Sequence, residues 1–318
     1  MSEFPSGCLG KLPLHGDFIR YNAALAEVRD FDTWIQEGIY QGYQELDSKW
    51  DSSFDAAPTA RFIYCAPKTK RILAGLFKPS VDKAGRRYPF LVYTVIEPGA
   101  LGNDAAYLPW AMEPFLLKAT ELAAWSDSAI DLKTFLSSFE SLRFELDLTE
   151  ARKSFAKYVL SHATGDYWAA SYGSPDDDRR YAAVQLTSWA SDIRSPESSA
   201  LRFPAGEPEA EAAFWIELSR RLSGGNQLPT LTYWNEPAAA AVRLNLAFGA
   251  LRPAYFLPFV LPQHPSREVT DLSAMQHVDA SLVDRSRSQF EEVLSDPSLK
   301  LSDLLQRLPR AKTGAEPA

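Results

Sequence analysis

The first clear pattern of hydrophobic and polar positions lies in residues 29–46, where apolar side chains recur every three or four positions. This spacing predicts an amphipathic α-helix whose aromatic face packs into a core. Asp30 or Asp32 is the predicted N-cap, because a short carboxylate accepts hydrogen bonds from the free N–H groups of a first turn. The predicted core face consists of Phe31, Trp34, Ile35, Ile39, Tyr43 and Leu46.

Three apolar runs with the length of β-strands follow, at Ala60–Ala66, Arg71–Phe77 and Tyr88–Ile96. The last run is almost continuously apolar, which is typical of a central strand covered on both faces. The connection at residues 67–70 is short enough to join antiparallel neighbours, so the runs predict a meander. Another strand is predicted at Cys8–Leu12, where Pro13 follows directly.

The second half of the chain alternates between helical and strand-like patterns. Pro109 and Pro114 are expected to break or delay a helix within residues 103–125, and Asp131 is the predicted N-cap of the next helix. The remaining predicted elements are strands at Tyr181–Trp189, Thr230–Asn235 and Ala254–Pro262, and helices at residues 210–222 and from Asp279 onward. Interleaved strands and helices favour a layered α/β fold around a mixed sheet.

Composition and charge narrow the class of protein. The 318 residues carry a formal net charge of -8, whereas proteins that bind nucleic acids usually present a basic face to the phosphates. No uncharged run approaches the roughly 20 residues that a membrane helix requires. Cys8 and Cys65 lack the spacing of a metal site or a disulfide framework, and the N-terminus does not have the pattern of a secretory signal. We therefore expect a cytoplasmic protein without a nucleic-acid partner or membrane insertion.

Motifs for phosphate loops, dinucleotide binding, nucleophile elbows and zinc proteases are absent from the sequence. The four histidines do not have the spacing of metal ligands. We therefore predict no metal site and no cofactor. Two polar clusters remain, and they consist of Lys11, His15, Asp17 and Arg20, and of Ser80, Asp82, Arg86 and Arg87.

These clusters are open to three interpretations: acid–base catalysis, loop architecture and partner recognition. We favour architecture, with recognition second. Gly16 allows the positive φ that a turn at this point can need, and Asp17 is expected to accept hydrogen bonds from free backbone N–H groups. Asp82 and Gly85 are the predicted turn residues of the second loop. A charged pair between the loops should join Asp17 or Asp82 to Arg86 or Arg87, since a guanidinium matches a carboxylate.

Three stretches of the sequence carry a family resemblance. "GKLPLHGDF", "FDTWIQEGI" and "PSVDKAGRRYPF", in this order and spacing, resemble the N-terminal signature of the TagF (ImpM) family, accessory proteins of bacterial type VI secretion. "PTLTYWNEP" looks like a later strand of that family, although "TYWN" replaces the usual double tryptophan. The motif residues of interest, for partner binding or structure, are Lys11, His15, Asp17, Trp34, Ser80, Asp82, Arg86 and Arg87.

The resemblance implies a three-layer αβα sandwich without enzymatic activity. It also implies a cytoplasmic negative regulator that acts after translation by binding a forkhead-associated-domain scaffold protein of the secretion machine. We expect the TagF-like α/β domain at residues 1–265, with motifs clearest in 7–98, and a helical extension with a disordered end at 266–318.

Two other functions stay open at this point. An enzyme could use His15, Asp17 and Asp82 if these side chains meet in a cleft. A structural subunit of the secretion assembly is equally compatible with an acidic chain that bears a helical tail. The sequence does not indicate an oligomeric state.

Overall fold

A ten-stranded sheet with helices on both faces organises the computed structural model, which describes residues 2–126, 131–192, 197–224, 227–236 and 242–308. The strands are β1 (Ser2–Gly10), β2 (Ile19–Tyr21), β3 (Ala60–Cys65), β4 (Ile72–Lys78), β5 (Phe90–Ile96), β6 (Arg143–Leu146), β7 (Ser199–Pro204), β8 (Leu231–Asn235), β9 (Arg243–Phe248) and β10 (Thr270–Asp271).

The strand order is β10-β7-β9-β8-β3-β4-β5-β1-β2, and β6 also pairs with β1. Strands β3, β4 and β5 are antiparallel neighbours, which confirms the predicted meander. Among the described pairs, only β10 and β7 are parallel, so the sheet is mixed as predicted.

The α-helices of the described residues are distributed over the whole chain and are joined in places by single 3₁₀ turns. They are α1 (Ala26–Leu46), α2 (Trp50–Asp55), α3 (Leu108–Ala111), α4 (Glu113–Trp125), α5 (Leu132–Ser137), α6 (Leu148–Ser161), α7 (Thr164–Tyr172), α8 (Arg179–Ala190), α9 (Pro208–Leu222), α10 (Phe256–Val260), α11 (Ala280–Leu294) and α12 (Leu301–Arg307). Pro109 and Pro114 lie in the first turns of α3 and α4, and the Asp131 side chain accepts a hydrogen bond from Thr134 N at 2.8 Å. The predicted breaks and the predicted cap are thus confirmed.

Alternate residues of each central strand contribute to two separate cores. In β3, Phe62 and Tyr64 pack in the core that contains α1, α2 and α10, whereas Ile63 packs in the core on the other face. Side chains of a strand alternate between the two faces, so a strand that is buried throughout needs cover on both. The result is the predicted α/β sandwich.

Helix α1 confirms the predicted amphipathic pattern but differs at its ends. It begins at Ala26, a full turn before the predicted cap, and Asp32 instead accepts a hydrogen bond from the Tyr88 hydroxyl. Tyr43, predicted to be in the core, is 44% exposed. A Cβ on Gly38 would lie 2.2 Å from the Cβ of Phe256, so glycine permits α10 to pack directly on α1.

Two predicted strands are wrong. Tyr181–Trp189 lies within α8, and Ala254–Pro262 contains α10. Residues 181–185 are all buried, because α8 packs against α9, α11 and β7, and every residue of α10 is buried as well. A helix that is covered on nearly all sides loses its amphipathic period, and a short apolar run then resembles a strand.

The C-terminal part of the described chain belongs to the same sheet and core. Strand β10 extends the sheet beside β7, and Ser286 Oγ on α11 donates to the Tyr181 carbonyl at 2.9 Å. Phe290 and Leu304 are 1% and 0% exposed. The domain division at residue 265 stays a prediction, and the predicted disordered end, from residue 309, lies outside the described residues.

Neither cysteine of the described chain forms a disulfide, and Cys8 is fully buried in β1. Burial raises the pKa of the Cys65 thiol to about 12, so this thiol stays protonated at neutral pH. None of the described helices combines the length and the apolar character needed to cross a membrane.

We expect Phe290→Ala to lower the free energy of unfolding by about 3–5 kcal/mol, because it leaves a cavity between α11 and the sheet-covering helices. Gln289→Ala, at an exposed position of the same helix, is the matched control. Urea unfolding of both variants measures the effect. Equal stability of the two would contradict the packing of this helix as part of the core.

Candidate functional site

Two loops that contain the polar motifs meet at one end of the sheet. The first comprises residues 11–18, after β1, and the second comprises residues 79–89, between β4 and β5. Because β1 and β5 are antiparallel, with Gly10 opposite Phe90, the end of one strand lies beside the start of the other. Gly10 has a φ of 132°, and a Cβ there would lie 2.0 Å from the Pro89 carbonyl oxygen, so glycine is required at this junction.

Asp82 is the centre of the site. Its Oδ1 accepts hydrogen bonds from the backbone N–H groups of Ala84 and Arg86, both at 2.9 Å. Its Oδ2 lies 2.7 Å from Arg86 Nε and 3.1 Å from Lys11 Nζ. The carboxylate has no exposed surface, so four donors replace the water that it loses.

Burial by itself raises the pKa of the Asp82 carboxyl. The Arg86 N–H, the Lys11 ammonium, the Arg86 guanidinium and the Ala84 N–H outweigh that effect, and they hold the pKa well below its ordinary value. Asp82 is therefore an ionised structural anchor at any physiological pH.

Hydrogen bonds to main-chain carbonyls fasten the two loops to each other. Arg86 Nη2 donates to the Gly16 carbonyl at 2.5 Å, and the Lys83 N–H donates to the His15 carbonyl at 3.1 Å. The Gly85 N–H donates to the Asp82 carbonyl at 2.9 Å, and Gly85 has a φ of 80°. Asp82 and Gly85 are thus the turn residues, as predicted.

The neighbouring residues connect the second loop to the helices. Arg87 forms a two-pronged pair with Asp55, with Nε and Nη2 at 2.8 and 2.6 Å from its oxygens, and Nη1 lies 2.9 Å from Asp51. Ser80 accepts a hydrogen bond from the Tyr88 N–H at 3.0 Å through its carbonyl. The loop is therefore held from the sheet side and from α2.

One motif residue and one further residue of the first polar cluster have other environments. Trp34 is 4% exposed in the core under α1, and its Nε1 donates to the Arg252 carbonyl at 2.9 Å. Arg20 lies over the ring of Phe18, with 4.6 Å between the guanidinium carbon and the ring centroid. Neither residue takes part in the Asp82 cluster.

The prediction for Asp17 is wrong in one respect. Asp17 is exposed, and none of the hydrogen bonds or ion pairs found among the described residues involves its side chain. Asp82 accepts the bonds from free backbone N–H groups instead. Its pair with Arg86 lies within the second loop, and the charged pair that joins the two loops is that of Lys11 with Asp82, which was not predicted. Gly16 does not use the positive φ open to it, whereas Gly10 has a φ of 132°.

The geometry offers no support for the enzyme hypothesis. Asp82 is fully committed to the loop donors, and Asp17 faces solvent. Five cavities within the described ranges have linings that contain none of His15, Asp17 and Asp82. In that part of the chain, no three His, Cys, Asp or Glu side chains are placed to hold a metal ion.

Comparison with known proteins gives a match at the same residues. Residues 7–142 match the family described as "TagF N-terminal domain, Type VI secretion system-associated". Residues 7–142 of this chain are thus similar to a TagF N-terminal domain. The match extends from the second half of β1 through β5 and includes both motif loops, so it confirms the resemblance found in the sequence.

Among solved structures, the chain is similar to PA0076 from Pseudomonas aeruginosa PAO1, with 22% sequence identity and a TM-score of 0.40. The alignment covers 43% of this chain and 62% of that one. A search of curated proteins gave no match.

The sequence analysis did not predict the residues outside the motifs that bind the arginines of the second loop. Asp51 and Asp55 are four residues apart on α2, so they lie on one helix face, and this spacing is the signal that could have indicated an arginine partner. The carbonyls of His15 and Gly16 left no signal, because every residue carries the same backbone group.

We expect Asp82→Ala to lower the free energy of unfolding by about 2–4 kcal/mol, since it leaves two backbone N–H groups and a partly buried ammonium without their acceptor. Asp17→Ala, at an exposed position of the first loop, should change the free energy of unfolding by less than about 0.5 kcal/mol. Chemical denaturation compares the two. A larger loss of stability for Asp17→Ala would contradict the assignment of Asp82 as the central structural carboxylate.

The stability contributed by the Asp82 charge should depend on pH in the acid range. Its pKa is lower in the folded than in the unfolded chain, so the contribution is complete above the unfolded value of about 3.9 and is lost as the pH falls toward the folded value. The stability difference between wild type and Asp82→Asn should therefore stay constant from about pH 7 to 5 and shrink below about pH 4. Urea titrations at several pH values test this, and a difference that already shrinks near pH 6 would contradict it.

Proposed function

We propose that this protein is a non-enzymatic, cytoplasmic negative regulator of the type VI secretion system. It acts after translation by binding a forkhead-associated-domain scaffold protein of that system. The observation that carries the proposal is the TagF N-terminal domain at residues 7–142, a domain associated with this secretion system. The chemistry of the motif loops agrees with binding, since their central carboxylate has a structural rather than a reactive environment.

The loops form a surface suited to recognition. Buried Asp82 fixes their backbone, and Asp17, Lys83 and Arg86 are exposed on that rigid support. Arg86 is 59% exposed while its Nε still contacts Asp82. Charged groups displayed on a preorganised backbone lose little conformational entropy when a partner binds, and they favour the correct partner through charge complementarity.

The regulatory role has a direct test in the bacterium that carries the protein. Deletion of its gene should raise basal secretion, and overproduction should suppress it, since a repressor shifts the balance in opposite directions in the two strains. The measurement is the release of the tube protein into the medium. Unchanged release of the tube protein in both strains would contradict the proposed regulatory function.

The binding surface requires a separate test. The double variant Asp17→Lys, Lys83→Glu reverses two exposed charges of the loops and leaves the Asp82 cluster intact. It should reduce co-purification with the forkhead-associated scaffold at least about tenfold, because reversed charges repel a complementary partner.

Lys118→Glu, an exposed charge reversal on α4 outside both loops, is the matched control and should bind as wild type. Thermal melting confirms that both variants fold. Wild-type binding by the folded double variant would place the interface elsewhere on the protein.

A further inference from the structure

A cavity of about 510 Å³ lies outside the TagF N-terminal domain, beside α6, α7 and the start of α9. Its lining includes Tyr158, His162, Asp166, Tyr167, Glu211 and Arg243. The volume falls in the range of small-molecule sites, and two tyrosines with several convergent polar groups are the usual lining of such a site.

Glu211 is the most unusual group of this cavity. It is 7% exposed, and its Oε1 accepts hydrogen bonds from the N–H groups of Gly206 and Glu207 at 2.8 and 3.1 Å. Its Oε2 is buried and has no hydrogen-bond partner among the described residues. A carboxylate oxygen in that position is costly, so a donor supplied from outside the chain would stabilise it.

Burial raises the pKa of Glu211 to about 7, against the lowering effect of the Glu207 and Gly206 N–H groups and of His162. The carboxyl group can therefore gain or lose its charge near neutral pH. A cation bound beside it would favour the ionised form.

His162 provides a second acceptor. Its Nδ1 lies 2.9 Å from the Tyr158 carbonyl oxygen, and because a carbonyl can only accept, Nδ1 carries the hydrogen. In the neutral ring Nε2 then has a free lone pair. The nearest carboxylate, that of Glu207, is 3.9 Å from Nε2, which is too far for a hydrogen bond.

The charges around the cavity favour a cation. Asp166, Glu207 and Glu211 are acidic, and Arg243 is the arginine that opposes them. Tyrosine rings add an attraction for an ammonium group through their negative faces. An anion would meet three carboxyl groups, whereas an ammonium would meet acceptors.

We propose that this cavity binds a small organic amine, whose ammonium group donates hydrogen bonds to Glu211 Oε2 and His162 Nε2. The site is separate from the motif loops, and the proposal does not depend on the regulatory function.

Isothermal titration calorimetry of the full chain with 1,4-diaminobutane tests the proposal. We expect binding at about pH 8, where Glu211 is ionised, and weaker binding at about pH 6.

Glu211→Gln keeps an oxygen for the Gly206 and Glu207 N–H groups and removes the charge, so it should fold and bind the amine at least about tenfold more weakly at pH 8. Ala170→Trp, at an exposed position on the cavity lining, should block binding without touching either acceptor. Glu150→Gln, an exposed carboxylate elsewhere on α6, should bind as wild type.

Three results would overturn the proposal: no heat of binding to wild type at millimolar amine, equal binding by folded Glu211→Gln, or equal binding by Ala170→Trp. Malonate serves as the anionic counterpart. Binding of malonate in place of the amine would assign the cavity to an anion held by Arg243, and would equally overturn it.

Discussion

The whole architecture depends on a sheet that is buried on both faces. Every residue of β4 from Ile72 to Phe77 is buried, and the flanking strands β3 and β5 are nearly so. Such strands are stable only if each face is covered by apolar side chains from another layer. The α1 layer on one face and the larger helical layer on the other meet this requirement, and they leave the sheet ends for loops.

The motif loops occupy one of these ends, and a buried charge determines their shape. Asp82 has lost its water and is stable because backbone N–H groups, Lys11 and Arg86 surround it. Because each donor comes from one of the two loops, the same bonds that satisfy the charge also fix both loops. A rigid, exposed surface is thus a consequence of satisfying one carboxylate.

The segment that matches the family contributes about half of the strands of the sheet. It contributes β1 to β5, and β3 pairs on its other side with β8, which lies far beyond residue 142, with Ile63 opposite Thr232. Strands β9, β7 and β10 then continue the sheet. The later part of the chain therefore completes the hydrogen bonding of β3. It also forms the cavity beside Glu211, whose lining residues are far in sequence from the motif loops.

The sequence by itself determined the elements whose pattern is local. The meander, the amphipathic character of α1, the Asp131 cap and the turn residues Asp82 and Gly85 were predictable, because periodicity, capping and turn chemistry act between near neighbours. The pair of Asp82 with Arg86 is a contact of the same local kind, between residues four apart in one loop.

Features that depend on residues far apart in the sequence were decided only by the tertiary structure. Helices α8 and α10 resemble strands in sequence because burial on nearly all sides removes their period, and the layers that bury them come from elsewhere in the chain. The burial of Asp82 rather than Asp17 follows from the antiparallel pairing of β1 and β5, which brings Lys11 beside Asp82. Residues 71 positions apart leave no local signal of such a contact, since the sheet alone brings them together.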